Sequence, residues 1–263
     1  METLGLSKRS ACKLVSLCRA SWHYKSHRQD DSVLRKRIKA LAEERRQFGQ
    51  KRIYLLLVRE GWKVNHKKVE RIYREERLIL RIRRRKKRAA TVRVPLPEAK
   101  HPNQRWSMDF ISDQFSWGRR FRGLCIVNDY TRETLTIEID FSLTGLRVSQ
   151  VLDRLLEERG KPESITVDNG PEFSGNKLDG WAYAKGVRLN FIEPGKPMQN
   201  AYIESFNGRL RDDCLNENQF LTLQEVRTIT EMWRRDYNSQ RPHSSLKGLT
   251  PTSSPSSIKK PIS

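Results

Sequence analysis

The chain has 263 residues and a formal net charge of +21, from 52 Lys and Arg against 31 Asp and Glu, so a polyanion is its expected partner. No stretch approaches the ~18 uninterrupted apolar residues of a membrane span, and the first residues lack the apolar segment and cleavage site of a secretory signal. The four cysteines, Cys12, Cys18, Cys125 and Cys214, form no C-x-x-C pair, which argues against a disulfide framework or structural zinc and for a reduced, cytoplasmic protein.

The charge is concentrated at the start. Residues 1–94 hold 29 basic and 9 acidic side chains, and residues 95–263 hold 23 and 22. Region 1–94 is expected to be a helical DNA-binding unit, beginning with a short helix within 7–17. Between 50 and 77 a more specific pattern emerges. Ile53, Leu56 and Leu57 give one helix an apolar face, and Glu60-Gly61 ends it. Asn65 can cap a second helix running to about Arg77. At 100° per residue, Val69, Ile72, Tyr73 and Glu76 share one side, while Lys67, Lys68, Arg71 and Arg74 lie opposite. This layout fits a helix-turn-helix DNA reader, and equally a plain helical hairpin with a solvated face. The run 81–88, in which seven of eight residues are basic, favours the reader. Within it, Arg83, Arg84, Arg85, Lys86, Lys87 and Arg88 are candidate phosphate contacts.

Pro95, Pro97 and Pro102 mark a linker over 95–103. Beyond it, 104–246 reads as a mixed α/β domain. Strands are expected at 104–111, 123–128 and 134–139, the last with clean alternation. A helix follows over Gly145–Arg159, with Leu146, Val148, Val151, Leu152, Leu155 and Leu156 as apolar members and Gly160 and Pro162 as its stop. Then come a strand at Ser164–Val167, a helix near 176–185, a strand at 188–192, and helices near 200–215 and 222–238. Residues 247–263 are expected to form a disordered tail.

Three carboxylates stand out. Asp109 lies late in the first strand, between apolar neighbours, where an acid is unusual unless it faces a cleft or a metal. Asp168 follows a later strand, where α/β sheets place ligand groups, although Asp-Asn-Gly is also a good turn anywhere. Glu204 shares a helical polar stripe with Asn200, Asn207 and Arg211, within roughly a 60° arc; such a stripe is usually solvated. Three packed carboxylates repel one another unless divalent cations neutralise them. Oxygen-only ligands suit Mg²⁺ or Mn²⁺, and two such ions could grip the attacking and leaving oxygens of a phosphodiester.

The segments W-S-M-D-F, T-V-D-N-G-P-E-F and N-A-Y-I-E-S-F-N-G-R-L-R-D-D-C-L-N resemble the three catalytic motifs of transposases of the third bacterial insertion-sequence family. Asp168 and Glu204 have 35 residues between them, as in that family's D-D-35-E signature, and Arg211 stands seven beyond the Glu. Y-N-S-Q-R-P-H-S-S-L-K-G-L-T-P resembles its C-terminal signature, and F-G-Q-K-R-I with G-W-K-V-N-H-K-K-V-E-R-I-Y-R-E-E-R-L its helix-turn-helix segment. Asp213 departs from the pattern, which usually has Glu there.

The resemblance implies an RNase H-like mixed five-stranded sheet flanked by helices, preceded by the small all-helical unit. It assigns Asp109, Asp168 and Glu204 as catalytic metal ligands and Arg211 as a DNA contact. Asn169, Gly170, Asn200 and Arg209 are supporting neighbours. It further implies metal-dependent DNA cleavage and 3′-OH strand transfer on double-stranded element ends and target. Self-association, or fusion to the product of an upstream reading frame, belongs to the same expectation. The alternative is a DNA-binding regulator of transposition with an inactive or partner-dependent core.

Overall fold

The computed structural model describes residues 7–24, 30–80, 97–170, 173, 175–193 and 197–253. The basic run Arg83 to Arg88 and residues 254–263 lie outside the described residues.

The basic region is helical as expected. It comprises α1 (Lys8–Leu14), α2 (Arg19–His23), α3 (Ser32–Glu44), α4 (Gln50–Arg59) and α5 (His66–Glu75). Asn65 caps α5 by accepting from the Lys67 amide at 2.9 Å. Leu34, Ile38 and Leu41 of α3 meet Ile53 and Leu57 of α4 and Val69, Ile72 and Tyr73 of α5 in one small core. Glu76, placed by periodicity on that buried side, instead pairs at its edge with Arg35 and Lys39 of α3.

The larger unit contains β1 (Arg105–Gln114), β2 (Arg120–Asn128), β3 (Thr134–Asp140), α6 (Gly145–Arg159), β4 (Ser164–Val167), α7 (Asn176–Lys185), β5 (Arg188–Phe191), α8 (Ala201–Asp213) and α9 (Leu223–Ser239). The sheet order is β3-β2-β1-β4-β5, antiparallel among the first three strands and parallel among the last three. This is the mixed sheet flanked by helices expected from sequence.

Each strand sorts its residues by parity onto two faces. Trp106 and Met108 of β1 join Val148, Val151, Leu152 and Leu155 of α6 and Leu178 and Trp181 of α7. Ile111, Cys125 and Ile139 on the other face meet Ile203, Phe206 and Leu210 of α8 and Val226 and Tyr237 of α9. Leu146, expected in the apolar face of α6, is exposed. Its angular position lies roughly 150° from the mean of the buried residues, on the solvent side.

The chain also stays packed past 247, where a tail was expected to begin. Thr250 is buried, and the Thr252 amide donates to Asn238 O at 3.1 Å. Here the helical unit meets the core. Arg59 of α4 donates to Gln240 O and Gly248 O, each at 2.7 Å, and Arg45 pairs with Asp236 at 2.6 Å. Gly248 has φ +86°, and a Cβ there would lie 3.0 Å from Leu55 Cδ1, so this close approach requires glycine.

Candidate active site

Asp109 sits in the middle of β1, because that strand runs on to Gln114 through its hairpin with β2. The parallel pairing with β4 is shorter and ends at Ser107↔Thr166. Continuing that register brings Asp109 level with Asp168, at the carboxyl end of β4. Both residues have the parity of the face covered by α8. From there, Ile203, Phe206 and Leu210 anchor α8 in the core, and its polar stripe turns toward β1.

The stripe is not merely solvated. Asn207 Nδ2 donates to Asp109 Oδ2 at 2.9 Å, and Arg211 Nη2 donates to Ser112 O at 2.9 Å. The other Asp109 oxygen accepts from the Phe110 amide at 2.7 Å. Burial raises the Asp109 carboxyl to about 6 despite these bonds, and the negative charges of Asp168 and Glu204 push it the same way. Asp168 Oδ1 accepts from the Gly170 amide at 3.0 Å, so the turn chemistry and the site position coexist. Asn169 donates to Ile192 O at 2.8 Å and pins the end of β4 against the chain leaving β5.

The donor set is made of hard oxygens. Asn207 Oδ1 and Asn200 Oδ1 are buried with no hydrogen-bond partner among the described residues. Next to Asp109 and the carboxylates it faces, the orphaned Asn207 oxygen fits a bound cation or its waters. Among the described residues, no three acidic, His or Cys side chains close into an ion-enclosing cluster, so the carboxylates face one another without converging.

Asn207 is the residue that sequence reasoning left unassigned. Its signal was its place on the Glu204 stripe. Arg209, by contrast, does not join the site. It lies 140° around α8 from Glu204 at 100° per residue, and lines a separate cavity with Arg52, Arg132 and Arg241. The basic face of α5 is also less free than its pattern suggested. Lys68 and Arg71 pair with Asp31 at 2.6 and 2.8 Å, and Arg74 pairs with Glu70 at 2.6 Å. Lys67 remains exposed.

A mixed sheet that presents level carboxylates under an acid-bearing helix defines a polynucleotidyl-transferase type of core. Comparison with known proteins agrees. Family models described as integrase core domain match residues 99–197 and 185–251, and one for an HTH-like domain matches 28–87. A 31.7 kDa protein of insertion element IS407 from Burkholderia multivorans is 46% identical, over 95% of this chain and 91% of its own. The transposase InsK assigned to IS150 of Escherichia coli is 25% identical, over 88% of this chain and 86% of its own. A chain of the simian T-cell lymphotropic virus intasome shares the fold, with TM-score 0.55 and 16% identity over 86% of this chain and 78% of its own. This chain belongs to the insertion-sequence transposases with an integrase catalytic core. Among the described residues no helix is long and apolar enough to cross a membrane.

Proposed function

We propose that Asp109, Asp168 and Glu204 are the reacting centre of a metal-dependent DNA strand transferase that moves an insertion sequence. The observation that carries this is the Asp109 carboxyl, held by Asn207 from the same helical stripe as Glu204 and raised to about 6 by burial together with the facing Asp168 and Glu204 charges. Asp109, Asp168 and Glu204 would hold Mg²⁺ or Mn²⁺, two ions in the fullest case, which supplies Lewis-acid stabilisation of phosphodiester oxygens. Asn207 orients Asp109. Arg211, on the next turn of the stripe, offers a guanidinium to the phosphate beside the reacting one. Lys67 at the start of α5 and the run Arg83 to Arg88 contribute phosphate contacts that position the duplex. Self-association, by this chain alone or through a fused upstream partner, would bring in a second copy of the active site to join two element ends.

The test is a strand-transfer assay on DNA from both flanks of the gene, in Mg²⁺ and in Mn²⁺, comparing wild type with Glu204→Gln. Joined product from wild type only, with metal only, and with DNA binding retained in the variant, supports the assignment. Loss of binding together with activity would place Glu204 in the fold or the DNA interface instead. DNA binding by wild type without joining, even with the upstream frame fused on, would favour a regulator.

A further inference from the structure

On the far side of α8 from Glu204 lies a cavity of about 240 Å³ whose lining includes Arg52, Arg132, Arg209 and Arg241. The pattern along the helix is plain. Tyr202, Ser205 and Arg209 form one stripe, roughly 160° around from the stripe of Glu204, Asn207 and Arg211. Arg52 reaches in from α4 of the helical unit, Arg132 from the β2–β3 turn, and Arg241 from the segment after α9.

The charges in this cavity are not balanced. Arg241 is paired with Asp213 and stacks near the Phe48 and Tyr237 rings. Arg132 lies 3.6 Å from the centroid of the Tyr202 ring, and its Nη1 is buried with no hydrogen-bond partner among the described residues. The two acids flanking Arg132 in sequence are both engaged elsewhere: Glu133 pairs with Arg159 at 2.9 Å, and Asp129 with Arg105 and Ser107. Burial and the charges of Arg241 and Arg209 hold Arg52 down to about 10. Four guanidiniums against one carboxylate, with a buried unpaired N–H, are costly unless an anion completes them.

We propose that this cavity is a phosphate-binding site that takes one backbone phosphate of double-stranded DNA. Guanidinium forks suit a tetrahedral oxyanion approached from several sides, and the hydroxyls of Ser205, Ser244 and Ser245 add donors around the rim. Position favours DNA as the carrier of that phosphate, because the site spans the helical reader and the catalytic core. This step rests on the transposase reading. The bound phosphate would sit across α8 from the reacting one, about one helix diameter (~10 Å) away. It would hold the duplex without reading its sequence.

The test compares wild type with the Arg132→Gln/Arg209→Gln double variant. Binding of a short duplex of arbitrary sequence is measured across a salt series, and melting is measured with and without inorganic phosphate at constant ionic strength. The site predicts that the double variant's slope of log K against log salt is shallower by about 0.9, one phosphate contact fewer, with affinity several-fold weaker. It also predicts that phosphate raises the melting temperature of wild type and not of the variant. Equal slopes and affinities in two folded proteins would overturn the DNA assignment, even if the phosphate effect differs between them. Equal phosphate effects would overturn the anion site itself. If wild type binds no duplex, the DNA assignment fails, and the phosphate arm still decides the anion site. Should the double variant not fold, Arg209→Lys, which keeps the charge but removes the fork, is expected to lose most of the phosphate effect.

Discussion

His243 offers a quantitative check on the packing between α9 and the chain that follows it. Its imidazole is 9% exposed, stands edge-on to the Tyr237 ring at 4.6 Å, and lies 3.3 Å from Tyr237 O. Burial, reinforced by the charges of Arg241, Arg209 and Arg52, lowers its pKa from 6.5 to about 4. The folded protein therefore favours the neutral ring. The associated stability is present above the unfolded value and is lost as pH falls from 6.5 toward 4. With about 1.36 kcal/mol for each pH unit, the full effect is roughly 3 kcal/mol, of which about 2 kcal/mol is lost by pH 5. Many carboxylates also titrate in this range, so the informative quantity is a difference. Urea unfolding of wild type and His243→Gln at pH 8 and pH 5, in phosphate-free buffers of equal ionic strength, isolates the histidine. Gln can keep a hydrogen bond to Tyr237 O but loses the ring contact, so the variant should be less stable at pH 8 by about 1–2 kcal/mol. At pH 5 that gap should close or reverse. A gap that stays constant within about 0.5 kcal/mol would refute the argument that His243 is buried neutral among guanidiniums.

Three further outcomes follow from the same structure. Asp109→Asn should stabilise the protein in EDTA at pH 7 by about 1–3 kcal/mol, seen as a higher melting temperature, while abolishing strand transfer. The sign follows from the raised carboxyl, whose ionisation costs the fold stability as pH rises from 3.8 through about 6. Gly123→Ala should cost about 1–2 kcal/mol in urea unfolding, because a Cβ there meets Ile139 Cδ1 at 2.8 Å and Ile111 Cγ2 at 3.0 Å inside the sheet. Asp129→Ala should cost about 3–5 kcal/mol by the same measurement, since it leaves Arg105 buried without its partner at 2.5 Å and removes the acceptor of Ser107.

Much of the fold was legible because local signals and tertiary demands coincide. Gly160 and Pro162 stop α6 where its apolar period ends, and the Asn65 cap starts α5 where expected. The polar end of β1 was not legible. Asp113 and Gln114 carry no strand signal, and pair only because Arg120 and Phe121 lie opposite them in the hairpin. Motif context located the carboxylates, yet sequence distance misled for Arg209, which is close to Glu204 along the chain and nearly opposite it around the helix. The pairing of Asp31 with Lys68 and Arg71 was out of reach for a related reason. It joins residues far apart in sequence, and no periodicity within α5 distinguishes a cation facing a carboxylate from one facing water.

The contacts by which Arg59 grips Gln240 O and Gly248 O, with Arg45 on Asp236, act as a latch between two tools on one chain. While it is closed, α5 and the carboxylates of Asp109 and Asp168 stand at a set offset, so under the proposed function the number of base pairs between a sequence held by the helical unit and the bond that is cut would be gauged by the protein itself. The latch is made largely of exposed polar contacts, each worth little and weakened by salt. Under the same proposal it would hold its spacing at low salt and loosen as ionic strength rises.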